Sequence, residues 1–134
     1  MVRARGFTLI ELVTVLAITA VLTGLALPSW QSHLTAARRG DATLALERLQ
    51  IAQERHRALT GLYASDPAQL GASPLSPEGL YALNLSTGPD ERYVAVARPI
   101  AGGPQAGDSE CGEITLQVVQ GFATAGPSRR CWNK

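Results

Sequence analysis

Gly6-Phe7-Thr8-Leu9-Ile10-Glu11-Leu12-Val13 is the stretch that decides the fold of this chain. It joins a short leader, which carries Arg3 and Arg5 and no acid, to an apolar segment with one acidic residue near its start. Residues 12–37 contain no Asp, Glu, Lys or Arg. As a helix, the apolar run over residues 7–27 covers roughly 30 Å, the thickness of one bilayer core. These features predict a membrane-spanning helix, and the arginines before it predict a cytoplasmic leader.

The position of the small residue Gly6 separates this segment from an ordinary secretory signal. Such a signal has a shorter apolar core that ends in small residues at its cleavage site, whereas Gly6 precedes the apolar run. Cleavage after Gly6 would therefore remove the basic leader and keep the helix.

Glu11 is an acid inside the apolar segment, where an ionised side chain costs roughly 2.5–3.5 kcal/mol on insertion scales. Cleavage after Gly6 would give Phe7 a free α-amine, which is cationic at neutral pH because its pKa is about 8. When many copies pack side by side, the amine of one copy can neutralise Glu11 of the next. A single-pass anchor with Glu11 near the lipid headgroups is the alternative.

Residues 6–13 closely resemble the processing and assembly motif of type IV pilins and the related pseudopilins. The resemblance implies that a prepilin peptidase cuts between Gly6 and Phe7 and N-methylates Phe7. It implies that Glu11 acts in subunit docking and register. It also implies that the helix loosens between Gly24 and Pro28 in the assembled filament, because proline removes a helical hydrogen bond and glycine adds backbone freedom.

The same resemblance implies where the protein acts and with which partners. It would be a single-pass protein of the bacterial inner membrane before assembly, and part of an extracellular pilus or a periplasm-spanning filament afterwards. Its partners would be the membrane, other pilin subunits in a homo- or hetero-filament, the prepilin peptidase and the inner-membrane assembly machinery, with DNA as a further candidate. Cell adhesion, twitching motility and DNA uptake are activities that such filaments serve.

The rest of the chain predicts an α+β head. Residues 29–60 keep a helical pattern and become amphipathic, with one broad face formed by Leu34, Ala37, Ala45, Leu49, Ala52 and Leu59. Gly61 suits a C-terminal helix cap. Alternating patterns predict strands at residues 80–85, 92–98, 113–119 and 122–124. A helix followed by a meander agrees with the type IV pilin fold that the resemblance implies, in which a long N-terminal helix packs on a small antiparallel sheet with a C-terminal disulfide-bounded loop.

The predicted domain organisation has three parts. Residues 1–6 are the leader peptide, residues 7–28 the transmembrane and filament-core helix, and residues 29–134 the globular head. Within the head, the amphipathic half of the helix runs to about residue 60, a loop rich in Pro, Ser, Gly and Ala covers residues 61–79, and the sheet region covers residues 80–134.

Cys111 and Cys131 are the only cysteines of the chain, and they are expected to be oxidised if this segment is exported. Closing a loop of this size contributes roughly 3 kcal/mol in the chain-entropy model. The layout resembles the disulfide-bounded C-terminal region of type IV pilins, and the ending most resembles small minor pilins, including those used in DNA uptake. Major pseudopilins of secretion systems generally lack this bridge.

Arg129, Arg130 and Lys134 form a basic C-terminal tip around Trp132. Arginine binds phosphate and tryptophan stacks on bases, so these four residues are the candidate DNA-binding site. The alternative is a solvated charged end beside a packed Trp132. The formal net charge of +1 gives no global argument for nucleic acid.

No metal site, cofactor or enzyme active site is expected. Asp108, Glu110 and Glu113 do not have the spacing of a calcium loop, and a solvated acidic turn is the favoured interpretation. His33 and His56 lie on the helix with no cluster of catalytic spacing nearby. The sequence therefore favours a type IV pilus subunit of the minor kind. The alternatives are a DNA-receptor pilin of natural transformation, a type II secretion pseudopilin, or a membrane-anchored domain that does not assemble.

Overall fold

A computed structural model describes residues 6–134, except for the side chains of residues 27–29. The elements in chain order are α1 (Leu9–Thr60), a 3-10 turn (Pro67–Leu70), β1 (Tyr81–Gly88), β2 (Arg92–Pro99), β3 (Ile114–Val119), β4 (Phe122–Gly126) and a second 3-10 turn (Arg129–Trp132). The predicted α+β class is confirmed, and each of the four predicted strands overlaps an observed one. The chain divides into two compact units, Met1–Leu34 and Thr35–Lys134.

In its described residues, the first unit is the N-terminal part of α1 with the three residues before it, and the large apolar side chains of residues 7–25 are exposed. This helix is long and apolar enough, by length and composition, to cross a membrane. Its threonine hydroxyls donate to carbonyl oxygens one turn earlier: Thr14 to Ile10 at 2.7 Å, Thr19 to Val15 at 2.8 Å and Thr23 to Thr19 at 2.7 Å. These hydroxyls are therefore already satisfied, as an apolar environment requires.

The second unit contains an antiparallel meander in which each strand pairs with the next, in the order β1-β2-β3-β4. Alternate side chains of the two central strands are buried, namely Tyr93, Ala95 and Ala97 on β2 and Ile114, Leu116 and Val118 on β3. The buried β3 residues are those that the alternation predicted to share a face. They form one core with the α1 residues Ala42, Ala45, Leu46 and Leu49.

The buried face of α1 differs from the predicted apolar face at its ends. Ala45 and Leu49 are buried as predicted, but Ala37 is exposed and Leu59 is 80% exposed. Gln53, a polar residue, is fully buried instead. Its Nε2 donates to the Ala64 carbonyl at 2.7 Å, and its Oε1 accepts from the Ala64 N–H at 2.8 Å. Burial of the amide is tolerated because both of its polar ends are hydrogen-bonded.

Asp41 attaches the loop before β1 to α1. This residue is only 6% exposed. Its carboxylate accepts hydrogen bonds from the Ser76 hydroxyl and from the Glu78 N–H, the latter at 2.9 Å. The Ser76 hydroxyl oxygen in turn accepts from the Tyr81 N–H at 2.9 Å. Because β1 begins at Tyr81, a buried carboxylate on the helix helps to set where the sheet starts.

The C-terminal end of α1 is confirmed at Thr60, with Gly61 as its cap. Gly61 has a φ of 79°, a left-handed conformation that glycine adopts without a side-chain penalty. Its N–H donates to the Arg57 carbonyl at 2.8 Å and so satisfies one of the last helical acceptors.

Candidate functional site

The predicted cleavage junction lies just before α1. Gly6 precedes the helix and Phe7 is 87% exposed, while leader residues 1–5 lie outside the described residues. The Thr8 hydroxyl oxygen accepts from the Glu11 N–H at 3.3 Å. Threonine followed three residues later by glutamate is the spacing of a helix-capping box. This spacing could have predicted a second, local role for Glu11 at the start of the helix.

The predicted loosening segment of α1 is described only in part. The helix is continuous through Gly24 and Pro28 in this chain. A Cβ at Gly24 would meet nothing within 4 Å, so no described neighbour requires glycine at this position. The side chain of Pro28 lies outside the described residues.

The predicted disulfide between Cys111 and Cys131 is confirmed. The S–S distance is 2.03 Å and the Cα atoms are 5.6 Å apart. Both cysteines are fully buried in the core of the head. The bridge joins the loop before β3 to the C-terminal 3-10 turn, and it therefore holds the last residues of the chain against the sheet.

The acidic turn at residues 108–110 is not simply solvated, and this part of the sequence interpretation is wrong. Asp108 is 7% exposed and forms two hydrogen bonds with Arg39 of α1: Nε to Oδ2 at 2.7 Å and Nη2 to Oδ1 at 2.8 Å. Arg39 is itself 5% exposed. Its Nη2 also contacts Glu110 Oε2 at 3.1 Å. A guanidinium forms such bidentate pairs with one carboxylate because its planar fork matches the two oxygens.

Glu110 extends this pair into a cluster. Its Oε1 accepts from Arg130 Nη1 at 2.9 Å, so Glu110 lies between a buried and an exposed arginine. We call Arg39, Asp108, Glu110 and Arg130 the ion cluster. Hydrogen bonding with Asp108 raises the pKa of Arg39, and hydrogen bonding from Arg39 lowers the pKa of Asp108 against the opposing effect of burial. The pKa of Glu110 is lowered by hydrogen bonds from Arg130 and then Arg39.

The lowered pKa of Asp108 predicts a loss of stability in acid. A carboxylate whose pKa is lower in the folded state stabilises that state above its unfolded pKa of about 3.9, and this contribution disappears as pH falls through the folded pKa. We expect the free energy of unfolding to fall more steeply below about pH 4 in the parent chain than in Asp108→Asn. Urea unfolding of the full chain in a mild detergent, repeated across that pH range, measures the difference. Parallel curves for the two proteins would contradict the assignment.

The C-terminal tip, residues 129–134, presents its cations and buries its tryptophan. Arg129 and Lys134 are exposed, and the side chain of Arg130 is 77% exposed. Trp132 is only 5% exposed, and its Nε1 donates to the Gly126 carbonyl at 2.9 Å. The Lys134 ammonium lies 5.5 Å from the centre of the Trp132 ring. This placement agrees with the alternative in which Trp132 is packed rather than presented for stacking.

The two arginines of β2 lie at opposite ends of the sheet. Arg92 pairs in register with Val119, at the end of β3 that leads into the turn to β4. Arg98 follows Ala97, which is opposite Ile114 at the start of β3, close in sequence to Cys111. Arg98 is nearer the tip by this register, but its guanidinium is paired with Glu113 at 2.8 Å.

The described residues offer no cluster for metal binding. Within residues 6–134, no group of three His, Cys, Asp or Glu side chains could hold a metal ion. A groove of about 360 Å³ lies between α1 and the loop before β1, and the residues that line it are mostly apolar or small, with Arg48 as its charged residue. Its lining carries no nucleophile and base in the arrangement that covalent catalysis uses.

A long N-terminal helix, a four-stranded meander and a C-terminal disulfide together define the class of type IV pilins. A solved structure of a type IV pilin from Shewanella oneidensis has the same fold. The TM-score is 0.51 at 24% identity, and the match covers 73% of this chain and 97% of that chain.

Two family models match successive parts of the sequence. The prokaryotic N-terminal methylation motif matches residues 1–27. The model described as type IV minor pilin ComP, DNA uptake sequence receptor, matches residues 28–115, well over half of the chain. The chain therefore belongs to this family of type IV minor pilins. Pilins are structural subunits that assemble with one another into a filament, and the methylation motif with its apolar helix fits a membrane-anchored pilin that later enters pili.

Curated relatives extend the same similarity. Fimbrial protein EcpB of Eikenella corrodens is 34% identical over 97 residues, which are 72% of this chain and 60% of that protein. Type IV major pilin protein PilE of Neisseria gonorrhoeae is 36% identical over 78 residues, 58% of this chain and 47% of that protein. The aligned part of the chain thus spans about half to three fifths of the length of these relatives.

Proposed function

We propose that this minor pilin binds double-stranded DNA through its C-terminal tip while its N-terminal helix holds it in a filament. The observation that carries the proposal is the match of residues 28–115 to a family described as a DNA uptake sequence receptor. The tip itself, residues 129–134, lies beyond that matched range. Support for the tip is electrostatic, because Arg129, Arg130 and Lys134 are exposed cations at one end of the head.

The chemistry of the tip suits phosphate binding. Exposed Arg and Lys side chains neutralise DNA phosphates and release condensed counterions, which gives affinity without reading the sequence. The buried Trp132 is not part of the proposed contact surface. Its hydrogen bond to Gly126 and its position under Lys134 give it a role in holding the tip in place.

The proposed filament role rests on the N-terminal motif. Prepilin peptidase cuts after Gly6 and methylates Phe7, and the assembly machinery then moves the helix from the inner membrane into the filament. Glu11 pairs with the Phe7 amine of a neighbouring subunit, and the helix between Gly24 and Pro28 loosens on assembly. The domain boundaries proposed for this role are the leader at residues 1–6, the membrane and core helix at residues 7–28, and the head at residues 29–134.

DNA binding by the full-length chain in nanodiscs is expected to depend steeply on salt. Two or three phosphate contacts give a roughly 10- to 40-fold loss of affinity between about 50 and 200 mM salt. Reversing the charge of both Arg129 and Lys134 to Glu is expected to weaken binding at least about tenfold at the lower salt concentration. Fluorescence anisotropy with a labelled duplex, over a salt series, measures both effects.

Arg129→Glu alone and Arg92→Glu form the matched pair, because each reverses one exposed cation and the two lie at opposite ends of the sheet. A small effect of Arg92→Glu beside a large effect of Arg129→Glu supports the tip as the contact surface. Equal effects of the two variants would contradict the assignment of the tip as the DNA-binding surface. Absence of binding to any duplex at low salt would overturn the DNA-binding proposal and leave the filament role. The Cys111–Cys131 bridge and the family match do not favour a type II secretion pseudopilin.

A further inference from the structure

The disulfide places an acid directly beside one cation of the proposed DNA surface. Glu110 immediately precedes Cys111, and Arg130 immediately precedes Cys131. The cysteine Cα atoms are 5.6 Å apart, so the two charged residues are held next to each other by a covalent link. Their side chains meet at 2.9 Å, between Glu110 Oε1 and Arg130 Nη1.

Glu110 is held in this position from its other side as well. Its Oε2 lies 3.1 Å from Nη2 of Arg39, and Arg39 is fixed in the interior by two hydrogen bonds to Asp108. An ordinary surface ion pair is weak partly because two long side chains must both be ordered. Here the Glu110 carboxylate is already ordered by the buried guanidinium of Arg39, so only the Arg130 side chain loses conformational freedom when the pair forms. The hydrogen bonds from Arg130 and Arg39 also lower the pKa of Glu110, so this carboxylate stays ionised to a lower pH than an ordinary glutamate.

A carboxylate paired with Arg130 resembles a DNA phosphate in the chemistry that a guanidinium binds. Both are anions that accept hydrogen bonds from a guanidinium. In the free protein, Arg130 has this anionic partner, whereas no ion pair of Arg129 or Lys134 is present among the described residues. A phosphate that approaches Arg130 must displace Glu110 or share the guanidinium with it, and it is repelled by the same carboxylate.

We infer that Glu110 is a built-in competitor of DNA phosphate for Arg130, and that it limits the affinity of the tip for duplexes. This inference rests on the proposed DNA-binding function and specifies what limits phosphate binding at the tip. Because Glu110 occupies Arg130, one fewer cation is available to neutralise a phosphate and release a counterion from DNA. The part of the affinity that comes from phosphate contacts is therefore lower. Discrimination between duplexes then depends more on contacts other than phosphate contacts.

Glu110→Gln and Glu113→Gln form the matched pair of variants that tests this. Each removes one negative charge from a carboxylate that pairs with an arginine at 2.8–2.9 Å, and the two side chains are 48% and 45% exposed. The net charge changes equally, so a general electrostatic effect raises affinity equally in both. We expect Glu110→Gln to bind a labelled duplex roughly three- to tenfold more tightly than Glu113→Gln at low salt, with a salt slope steeper by about 0.9.

The double variant Glu110→Gln/Arg130→Gln separates competition for Arg130 from repulsion of DNA. If Glu110 acts by occupying Arg130, the gain from Glu110→Gln is lost in the Arg130→Gln background. Thermal unfolding of each full-length variant confirms that the head is folded, and Glu110→Ala serves as a second variant should Glu110→Gln fail to fold.

Failure of the competition inference can be told from failure of the DNA-binding proposal. If the parent chain binds duplexes but Glu110→Gln and Glu113→Gln gain equally, or if the gain persists without Arg130, Glu110 is not a competitor. If no variant binds at low salt, the DNA-binding proposal itself fails. Binding by Glu110→Gln in the absence of binding by the parent chain would support both.

Discussion

Glu11→Ala in the full-length chain is expected to reduce incorporation into filaments at least about a hundredfold while the head remains folded. Without this carboxylate, the Phe7 amine of a neighbouring subunit would be buried in the filament core unpaired, which costs several kcal/mol. The measurement is the amount of the variant in sheared filaments relative to its amount in the membrane fraction. Glu47→Ala removes an exposed acid from α1 of the head and is the control.

Glu11→Gln distinguishes the charge-pairing role proposed for Glu11 from its place in the capping box at the start of the helix. Glutamine also suits the fourth position of a capping box, so it preserves the helix start that Thr8 and Glu11 form. Glutamine has no charge, however, and cannot neutralise an amine. Normal incorporation of Glu11→Gln would contradict the charge-pairing role and leave helix capping as the function of Glu11. In the same comparison, Thr8→Ala is expected to cost only about 1 kcal/mol of helix stability.

Arg39→Met is expected to lower the free energy of unfolding of the head by about 3–5 kcal/mol. The substitution keeps the apolar stem but leaves Asp108 buried without its partner, and an uncompensated buried charge is among the most destabilising changes in proteins. The side chains of Arg39 and Asp108 are 6% and 3% exposed, so solvent provides little screening. Urea unfolding of the full chain in a mild detergent, followed by near-ultraviolet circular dichroism, measures the loss.

Two further variants establish that the effect comes from the buried pair. Arg38→Met changes the neighbouring, partly buried arginine and is expected to cost less than about 1 kcal/mol. Arg98→Met breaks the exposed pair with Glu113 and is expected to cost about as little. A loss in Arg39→Met no larger than in these controls would show that the ion cluster contributes little to stability.

The parts of the fold that local patterns encode could be predicted from the sequence. The apolar run and the glycine cap predicted α1 to within two residues at its start and at Thr60 at its end. Alternation predicted the buried face of β3 because one face of that strand packs on the helix and the other does not. The disulfide followed from the presence of just two cysteines in a head expected to be exported.

The parts that depend on distant polar partners could not be predicted in the same way. Arg39 and Asp108 are 69 positions apart. Taken alone, each is a charged residue of a type usually found on a solvated surface. Gln53 and Asp41 are polar residues on the buried side of α1, and a hydrophobic pattern counts them against burial. Their partners are the Ala64 backbone and residues of the loop before β1. Only the folded chain brings these groups together.

The candidate DNA-binding site could likewise be predicted only in part from the sequence. Charge alone predicted a basic C-terminal tip, and its three cations are exposed. The sequence could not show that Trp132 turns inward to the Gly126 carbonyl, or that Arg130 already has a carboxylate beside it. The Glu110–Arg130 contact follows from the disulfide, which brings the residues before β3 and after β4 together.

The attachment of the last residues to α1 has a mechanical consequence. Asn133 Nδ2 donates to the Ala36 carbonyl at 3.0 Å, and Arg130 is linked through Glu110 to Arg39 only three residues further along the helix. A pulling force on the tip therefore bypasses β3 and β4 through the covalent bridge between Cys111 and Cys131, and these two polar connections link the tip to the helix as well. Tension applied at the tip would leave β3 and β4 paired, because the bridge closes the loop that contains both strands.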